Sequence, residues 1–263
     1  AVGLLGVREF LARKPSQLAG PAAAIEISVP PPEYPTPSRH ELSHDETRGF
    51  LQAAKARGVT ANDLLVRDLF LAVTRWRQEQ GLGNAEDWLR FSIPMNLRRK
   101  EDHRMPVANS VSSVFLDRRP ADCADADQLL GNIRQQMQKI KRLNLQYTFV
   151  LSLGLARMLP GGLTARMRTD DCQLTTYVSN IGPVLQTAPL PRRDGKLVSG
   201  NVVLDSVDYV IPLRPFVNAS FCIYTYADRL SVLMHPDLRV LSPDVAKALH
   251  DEFLQQLRQS AAG

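Results

Sequence analysis

Five histidines are the first candidates for a general base in this 263-residue chain. His40 and His44 stand four residues apart, a spacing that would put both on one helix face and suit a metal ion. Ser43-His44-Asp45-Glu46 is, however, a capping-box pattern, with Ser at the cap and Glu three residues on. The pair therefore straddles a helix start, and His44-Asp45 reads as a solvated first turn. No His-Glu-x-x-His run follows, so no metal site is expected. His103 sits in the charged run Arg98 to Arg104, an exposed loop by composition. His235 precedes Pro236-Asp237 at a strand end, and His250 falls in the last helix, on its polar side by pattern. No histidine stands in a motif that would make it a general base.

Other chemistries leave no signature. Gly154 to Gly161-Gly162 lacks the spacing and the following Lys of a phosphate-binding loop, and no G-x-G-x-x-G follows a strand. No G-x-S-x-G elbow is present. Cys123, Cys172 and Cys222 lie far apart and odd in number, a poor disulfide framework that suits a reducing, cytoplasmic setting. Basic clusters at Arg98-Arg99-Lys100, Lys139 to Arg142 and Arg192-Arg193 are scattered and lack interleaved aromatics, so nucleic acid is not an expected partner. Arg98 stands apart from them. It directly follows a strand, where a guanidinium can orient a carboxylate across a domain boundary.

The chain is 44% hydrophobic, enough for one large domain or two small ones. Its net charge of +5 suits an anionic small-molecule substrate, but is equally common in proteins without one. No apolar run approaches the roughly 20 residues a membrane span needs, so stable insertion is not expected. The apolar stretch Ala1 to Phe10 lacks a basic start and a clear cleavage site, which argues against a signal peptide. The chain does not begin with Met and reads as cut or processed.

The elements that must position any site follow from periodicity. Val2 to Leu11 reads as a short helix, and Pro21 to Pro37, with three consecutive prolines, as an extended linker. This gives two regions: 1–39, an N-terminal helix and Pro-rich crossover, and 40–263, a single lobe. The capping box opens a helix that should run to about Arg57 and stop at Gly58. Thr60 caps a second helix, with Asp63 in its first turn and Leu64, Leu65, Leu69, Val73 and Trp76 at helical spacing. Leu89 to Met95 and Ser110 to Leu116 read as strands. Asp125 to Leu143 and Thr148 to Met158 read as helices, with a short helix following from Leu163 to Met167. Leu174 to Ser179, Asn201 to Ile211, Ala219 to Tyr226 and Leu230 to Met234 are strand candidates, with Ala227-Asp228-Arg229 as a hairpin turn. Ser242-Pro243-Asp244 opens the final helix. The class is α/β (α+β): a mixed, largely antiparallel sheet flanked by helices.

Several segments, in order, resemble one superfamily. They are Thr60-Ala61-Asn62-Asp63-Leu64-Leu65, Ser92-Ile93-Pro94-Met95-Asn96-Leu97-Arg98, Ala108-Asn109-Ser110, Tyr177-Val178-Ser179-Asn180-Ile181-Gly182-Pro183, and a closing hairpin before Leu241-Ser242-Pro243. Together they look like the C-terminal half of the acyltransferases built like chloramphenicol acetyltransferase. That superfamily includes condensation domains, wax-ester synthases and alcohol acyltransferases. The Asn-Asp helix start and the Ser-Asn-x-Gly-Pro strand end look most like the wax-ester and alcohol branches. The resemblance spans about residues 40 to 258.

It implies one of two pseudo-symmetric lobes with a substrate tunnel between them. The catalytic H-H-x-x-x-D-G motif belongs to the other lobe, and its second His deprotonates an acceptor alcohol or amine that attacks an acyl thioester. That motif is absent from this chain, as is the condensation-domain signature D-F-G-W-G. By resemblance, Ser179, Asn180, Gly182 and Asn109 would line the tunnel near the thioester. Arg98 would pair with the Asp of the absent motif, and Asn62 and Asp63 match the family's helix start. Local roles stand beside these: Asn62 and Asp63 as a cap, Asn109 and Asn180 as partners for strand-end backbone, and Gly182-Pro183 as a turn. No resident cofactor is implied; acyl-CoA or a phosphopantetheine thioester is co-substrate. The expected partners are an N-terminal acyltransferase lobe, on the same or a separate chain, and a carrier protein. The chain would then be inactive alone. Two other readings remain: a module that binds thioesters without chemistry, and an assembly protein that forms a homodimer through the exposed interlobe face.

Overall fold

A computed structural model describes residues 9–20, 37–98, 102, 110–162 and 172–263. Ser38–Glu41 (β1) leads into two capped helices, His44–Ala56 (α1) and Ala61–Glu79 (α2). Both caps form as the local sequence predicts. The Ser43 hydroxyl accepts the Glu46 N–H while the Glu46 carboxylate accepts the Ser43 N–H, and Thr60 and Asp63 repeat the exchange. The strands Leu89–Asn96 (β2) and Val111–Arg118 (β3) follow, then helices Ala126–Arg142 (α3) and Tyr147–Arg157 (α4). Thr176–Pro183 (β4) precedes three short strands, Arg192–Arg193 (β5), Lys196–Ser199 (β6) and Val202–Val203 (β7). The hairpin Ala219–Tyr226 (β8) and Arg229–Pro236 (β9) and helix Pro243–Ala262 (α5) follow, and a single 3-10 turn, Pro120–Cys123, lies between β3 and α3.

The main sheet has the order β1-β9-β8-β4-β2-β3, and β5-β6-β7 form a separate small sheet. Three of the five pairings in the main sheet are antiparallel; those of β4 with β2 and with β8 are parallel. Alternation divides each strand between two faces. Phe91, Ile93, Val178, Phe221, Ile223, Val232 and Met234 join one core with Leu64, Phe70, Trp76, Ile133, Phe253 and Leu257 of the helices. Phe70 stacks on Phe91 with ring centres 3.7 Å apart. The opposite face carries Arg90, Ser92, Tyr177, Ser220, Cys222 and His235.

Four expectations need correction. Asn201 to Ile211 is not a strand beyond Val202–Val203; the chain crosses the second face of β8 and β9 irregularly. Side chains of the sheet take up three of its carbonyls, and the Leu204 N–H donates to the Leu197 carbonyl of β6 (2.9 Å). Tyr226 Oη donates to the Leu204 carbonyl (2.7 Å), Tyr224 Oη donates to that of Val207, and His235 Nδ1 lies 2.9 Å from that of Ile211. The expected Leu174-to-Ser179 strand is shifted, running from Thr176 to Pro183 because parallel pairing with β8 carries it on to Thr225. The hairpin turn is the two residues Ala227 and Asp228, both at positive φ (48° and 59°), and Arg229 already belongs to β9. His250 is not on a polar face: it is 3% exposed, against β1. Helix α5 packs on α1 and α2 as well as over the sheet, so its buried stripe is wide enough to include His250.

Asn109, His103 and the short helix expected from Leu163 to Met167 lie outside the described residues, as do most of the expected N-terminal helix and Pro-rich linker.

Candidate functional site

The backbone of β2 creates an opening in the sheet. Thr175 N–H donates to the Arg90 carbonyl (2.8 Å), and Arg90 N–H donates to Thr175 Oγ1 (3.0 Å), so the peptide groups of Arg90 face β4. Strand alternation then turns those of Ser92 and Pro94 the same way. Proline has no N–H to give, and a ladder cannot continue through it on that side. The β2–β4 register accordingly consists of Phe91↔Thr176 and Ser92↔Tyr177 alone. The Thr176 hydroxyl lies 3.4 Å from the Tyr177 carbonyl, but its proton goes to the Ala219 carbonyl at 2.8 Å. On their other edges β2 stays paired with β3 out to Asn96↔Val111, and β4 with β8 out to Pro183↔Thr225. The sheet therefore splits along its middle, beyond Ser92 and Tyr177, at the carboxyl ends of parallel strands. That is where open α/β sheets bind ligands.

Ser179, Asn180 and Gly182 sit on the β4 side of this split. Register shifts between Asn180 and Gly182, leaving Ile181 as the extra residue of a bulge, 44% exposed. The Asn180 side chain accepts the Gly182 N–H (2.9 Å), and Gly182 has φ +73°, a conformation other residues take only with strain. Asn180 thus has the strand-end role that its type suggests. Arg98 lies two residues past the end of β2, exposed, its N–H donating to Asn96 Oδ1 (2.9 Å). Asn62 and Asp63 belong to a different place, the first turn of α2, where the Asp63 carboxylate is taken up by the N–H and hydroxyl of Thr60.

Behind the split, one row crosses the second face: Phe115, Ser92, Tyr177, Ser220 and His235 are successive register partners. The Ser92 and Ser220 hydroxyls are buried and find no hydrogen-bond partner. Because a carbonyl can only accept, the bond to Ile211 places the His235 proton on Nδ1 when the ring is neutral. Sequence reasoning missed this row, whose members are isolated single residues in the chain. The Pro94 split did leave a signal, a proline inside an otherwise strand-like run.

Two charged arrangements flank the row. Arg90 grips Asp117 in a bidentate pair (2.7 and 3.0 Å) and also donates to the carbonyls of Phe10 and Arg13. Its guanidinium lies 4.1 Å from the Phe10 ring centre. This buried pair ties residues 9–13 to the sheet. Near the other edge, Arg39, Glu41, Lys196, Asp205 and Arg229 line a cavity of about 350 Å³. Glu41 pairs with both Arg39 (2.9 Å) and Arg229 (2.6 Å), and Lys196 with Asp205, so the cavity's charges are largely spent on one another.

The remaining reactive groups are not poised for nucleophilic work. Burial pushes the Cys222 thiol up to about 12 and raises that of Cys123. Burial, then the proximity of His40, lowers His250 to about 4. Among the described residues no three His, Cys, Asp or Glu side chains converge as a metal ligand set, and no helix is long and apolar enough to cross a membrane.

No family model and no curated protein matches the sequence. Solved structures do match the fold. The first condensation domain of the calcium-dependent antibiotic synthetase aligns with 99% of this chain and 50% of its own at TM-score 0.63 and 14% identity. The epimerization domain from the third module of tyrocidine synthetase B aligns with 99% of this chain and 55% of its own (TM-score 0.61, 14% identity). Polyketide synthase associated protein 5 from Mycobacterium tuberculosis aligns with 87% of this chain and 53% of its own (TM-score 0.56, 12% identity). The chain has the fold of a condensation-domain lobe and spans about half the length of these structures. The resemblance carried by the motifs therefore holds at the level of fold.

Proposed function

We propose that this chain is one lobe of a condensation-type acyltransferase, moving an acyl group from a CoA or carrier-protein thioester to an alcohol or amine. The observation that carries the reading is the split between β2 and β4, in a fold that matches half of a condensation domain. An opening bounded by Ser179 and Asn180, at the carboxyl ends of parallel strands, suits a wall of the acyl path. In this reading Gly182 and the bulge set the direction of Asn180, and Arg98 approaches from the end of the neighbouring strand, while Asn109 enters on the resemblance alone. Arg98 then serves the boundary between lobes.

Acid–base work falls to a second lobe carrying H-H-x-x-x-D-G, because none of this chain's histidines stands in such a motif. The thioester is co-substrate, and no resident cofactor is needed. The wax-ester and alcohol branches remain the favoured kind of acceptor chemistry, on the Ser179-Asn180-Ile181-Gly182-Pro183 strand end.

The test is thioester cleavage and acyl transfer measured with this chain alone and after joining it to a lobe bearing the histidine motif. No turnover alone and turnover on joining is the expected result. Turnover by the lone chain that persists after every histidine is replaced would refute the shared mechanism.

A further inference from the structure

Three parts of the chain meet at the charged cavity near the sheet edge. Alternation puts Arg39 and Glu41 of β1 on the same face, opposite Ser38 and His40. Arg229, the first residue of β9, lines the cavity beside them. The other wall is Lys196 of β6 and Asp205, which follows β7. Strands β9 and β8 lie between β1 and β4, so the cavity is separate from the split.

Contacts outside the cavity hold these walls. The Tyr226 hydroxyl accepts the Leu197 N–H (3.0 Å) and donates to the Leu204 carbonyl (2.7 Å). It thereby pins the chain neighbours of Lys196 and Asp205 to the β8–β9 hairpin. The turn between β5 and β6 nests on the turn between β8 and β9: a Cβ at Gly195 would lie 3.1 Å from Ala227 Cα. Strand β1 is fixed by its own ladder, from Ser38↔Met234 to Glu41↔Ser231. The cavity therefore owes its shape to the fold and not to the ion pairs inside it.

Its charges are mostly paired, but its donors are not. Arg39 donates to Glu41 Oε2 (2.9 Å), and Arg229 lies 2.6 Å from Glu41 Oε1, so two guanidiniums share one carboxylate. Each guanidinium carries several more N–H donors than that one contact uses. Asp208 comes no nearer to Arg39 than 3.6 Å, beyond hydrogen-bond range. Lys196 pairs with Asp205 at the rim, where that carboxylate is 83% exposed and water screens the pair. The lining thus holds one more cation than carboxylate and no apolar side chain. That composition repels a cation and offers nothing to an apolar molecule.

We propose that this cavity binds a small oxyanion of the phosphate class. At about 350 Å³ it lies at the small end of ligand sites, with room for a phosphoryl group and a few further atoms. Arg39 and Arg229 present forks that match phosphate oxygens, with Glu41 holding the two guanidiniums side by side. Lys196 turns from Asp205 and meets the anion from the rim as a point charge. Phosphate offers an oxygen to each of the three cations, which a carboxylate cannot.

The test uses the whole chain and needs no acyl chemistry. Thermal unfolding is followed in sodium phosphate, glycerol phosphate, sodium acetate and sodium chloride at one ionic strength, so that general screening cancels. Phosphate and glycerol phosphate should raise the melting temperature above its value in chloride, since a ligand of the folded state stabilises it by mass action. Acetate should not. Titration calorimetry then separates the sources: tighter binding of glycerol phosphate assigns the site to a phosphate ester, and tighter binding of inorganic phosphate to the free ion. Arg229→Gln should weaken phosphate binding by about tenfold or more. Lys196→Gln, on the opposite wall and at the rim, should weaken it by about threefold. Circular dichroism checks that both variants fold. Equal melting temperatures in phosphate and chloride, acetate as effective as phosphate, or parental phosphate affinity in both variants overturns the proposal.

Discussion

Replacing His250 by asparagine should flatten the acid limb of the stability curve. His250 is 3% exposed in α5, and its Nδ1 lies 2.6 Å from the Ser38 hydroxyl of edge strand β1. Burial, then the charge of His40, holds its pKa at about 4, against 6.5 for a free histidine. A depressed base binds fewer protons folded than unfolded, so its contribution is present above the unfolded pKa and is lost as pH falls from about 6.5 to about 4. Between pH 7 and pH 5 that linkage amounts to about 2 kcal/mol from this one group. Asp68 works in the opposite direction, because burial raises its carboxyl to about 7 and so favours the folded state as pH falls from about 7 to about 4. The comparison must therefore be between His250→Asn and the parent, each unfolded in urea at both pH values. Asparagine can keep a hydrogen bond to Ser38 but cannot titrate. The parent should lose about 2 kcal/mol more than the variant on acidification. Parallel losses in the two proteins would refute the claim that His250 is buried as the neutral base.

Three further outcomes are expected. Asp117→Ala leaves the Arg90 guanidinium, 1% exposed, with only backbone carbonyls, and should cost about 3 kcal/mol in urea unfolding. Pro94→Val restores an N–H facing Tyr177; it should leave the melting temperature unchanged or higher. In a joined two-lobe protein it should lower turnover about tenfold by narrowing the split. Cys222 and Cys123 should resist a thiol reagent at mildly alkaline pH in the native chain and react once urea is added, read as the number of thiols released before and after unfolding.

What could be read from the sequence was what neighbouring residues decide. The capping boxes at Ser43 and Thr60 and the proline-led start of α5 are set within four or five residues and formed where expected, and the β8–β9 hairpin formed with a turn one residue shorter than expected. Strand β1 was hidden because its partner lies almost two hundred residues away, Ser38 opposite Met234, and its own sequence follows a run of prolines. The Val- and Tyr-rich segment from Asn201 to Ile211 has strand-forming residues but lies irregularly, because Tyr224, Tyr226 and His235 supply partners for its backbone. Of the candidate site, Ser179, Asn180 and Gly182 do share one strand end, and Arg98 does follow the neighbouring strand. The row of Ser92, Tyr177, Ser220 and His235 is a product of register, which no local pattern encodes.

The place of β4 in the sheet bears on how the chain reaches this structure. Both hairpins, β2–β3 and β8–β9, join strands close in sequence and can zip early. Strand β4 touches neither of its neighbours through a short turn, yet it is the seam that joins them, at Ser92↔Tyr177 on one side and Tyr177↔Ser220 on the other. Its insertion must wait for both hairpins and close long loops on each side, which makes it the slow step of assembly. Until then two half-sheets expose unpaired edges, so hydrogen exchange in a refolding chain should protect Val178 after both Phe91 and Phe221.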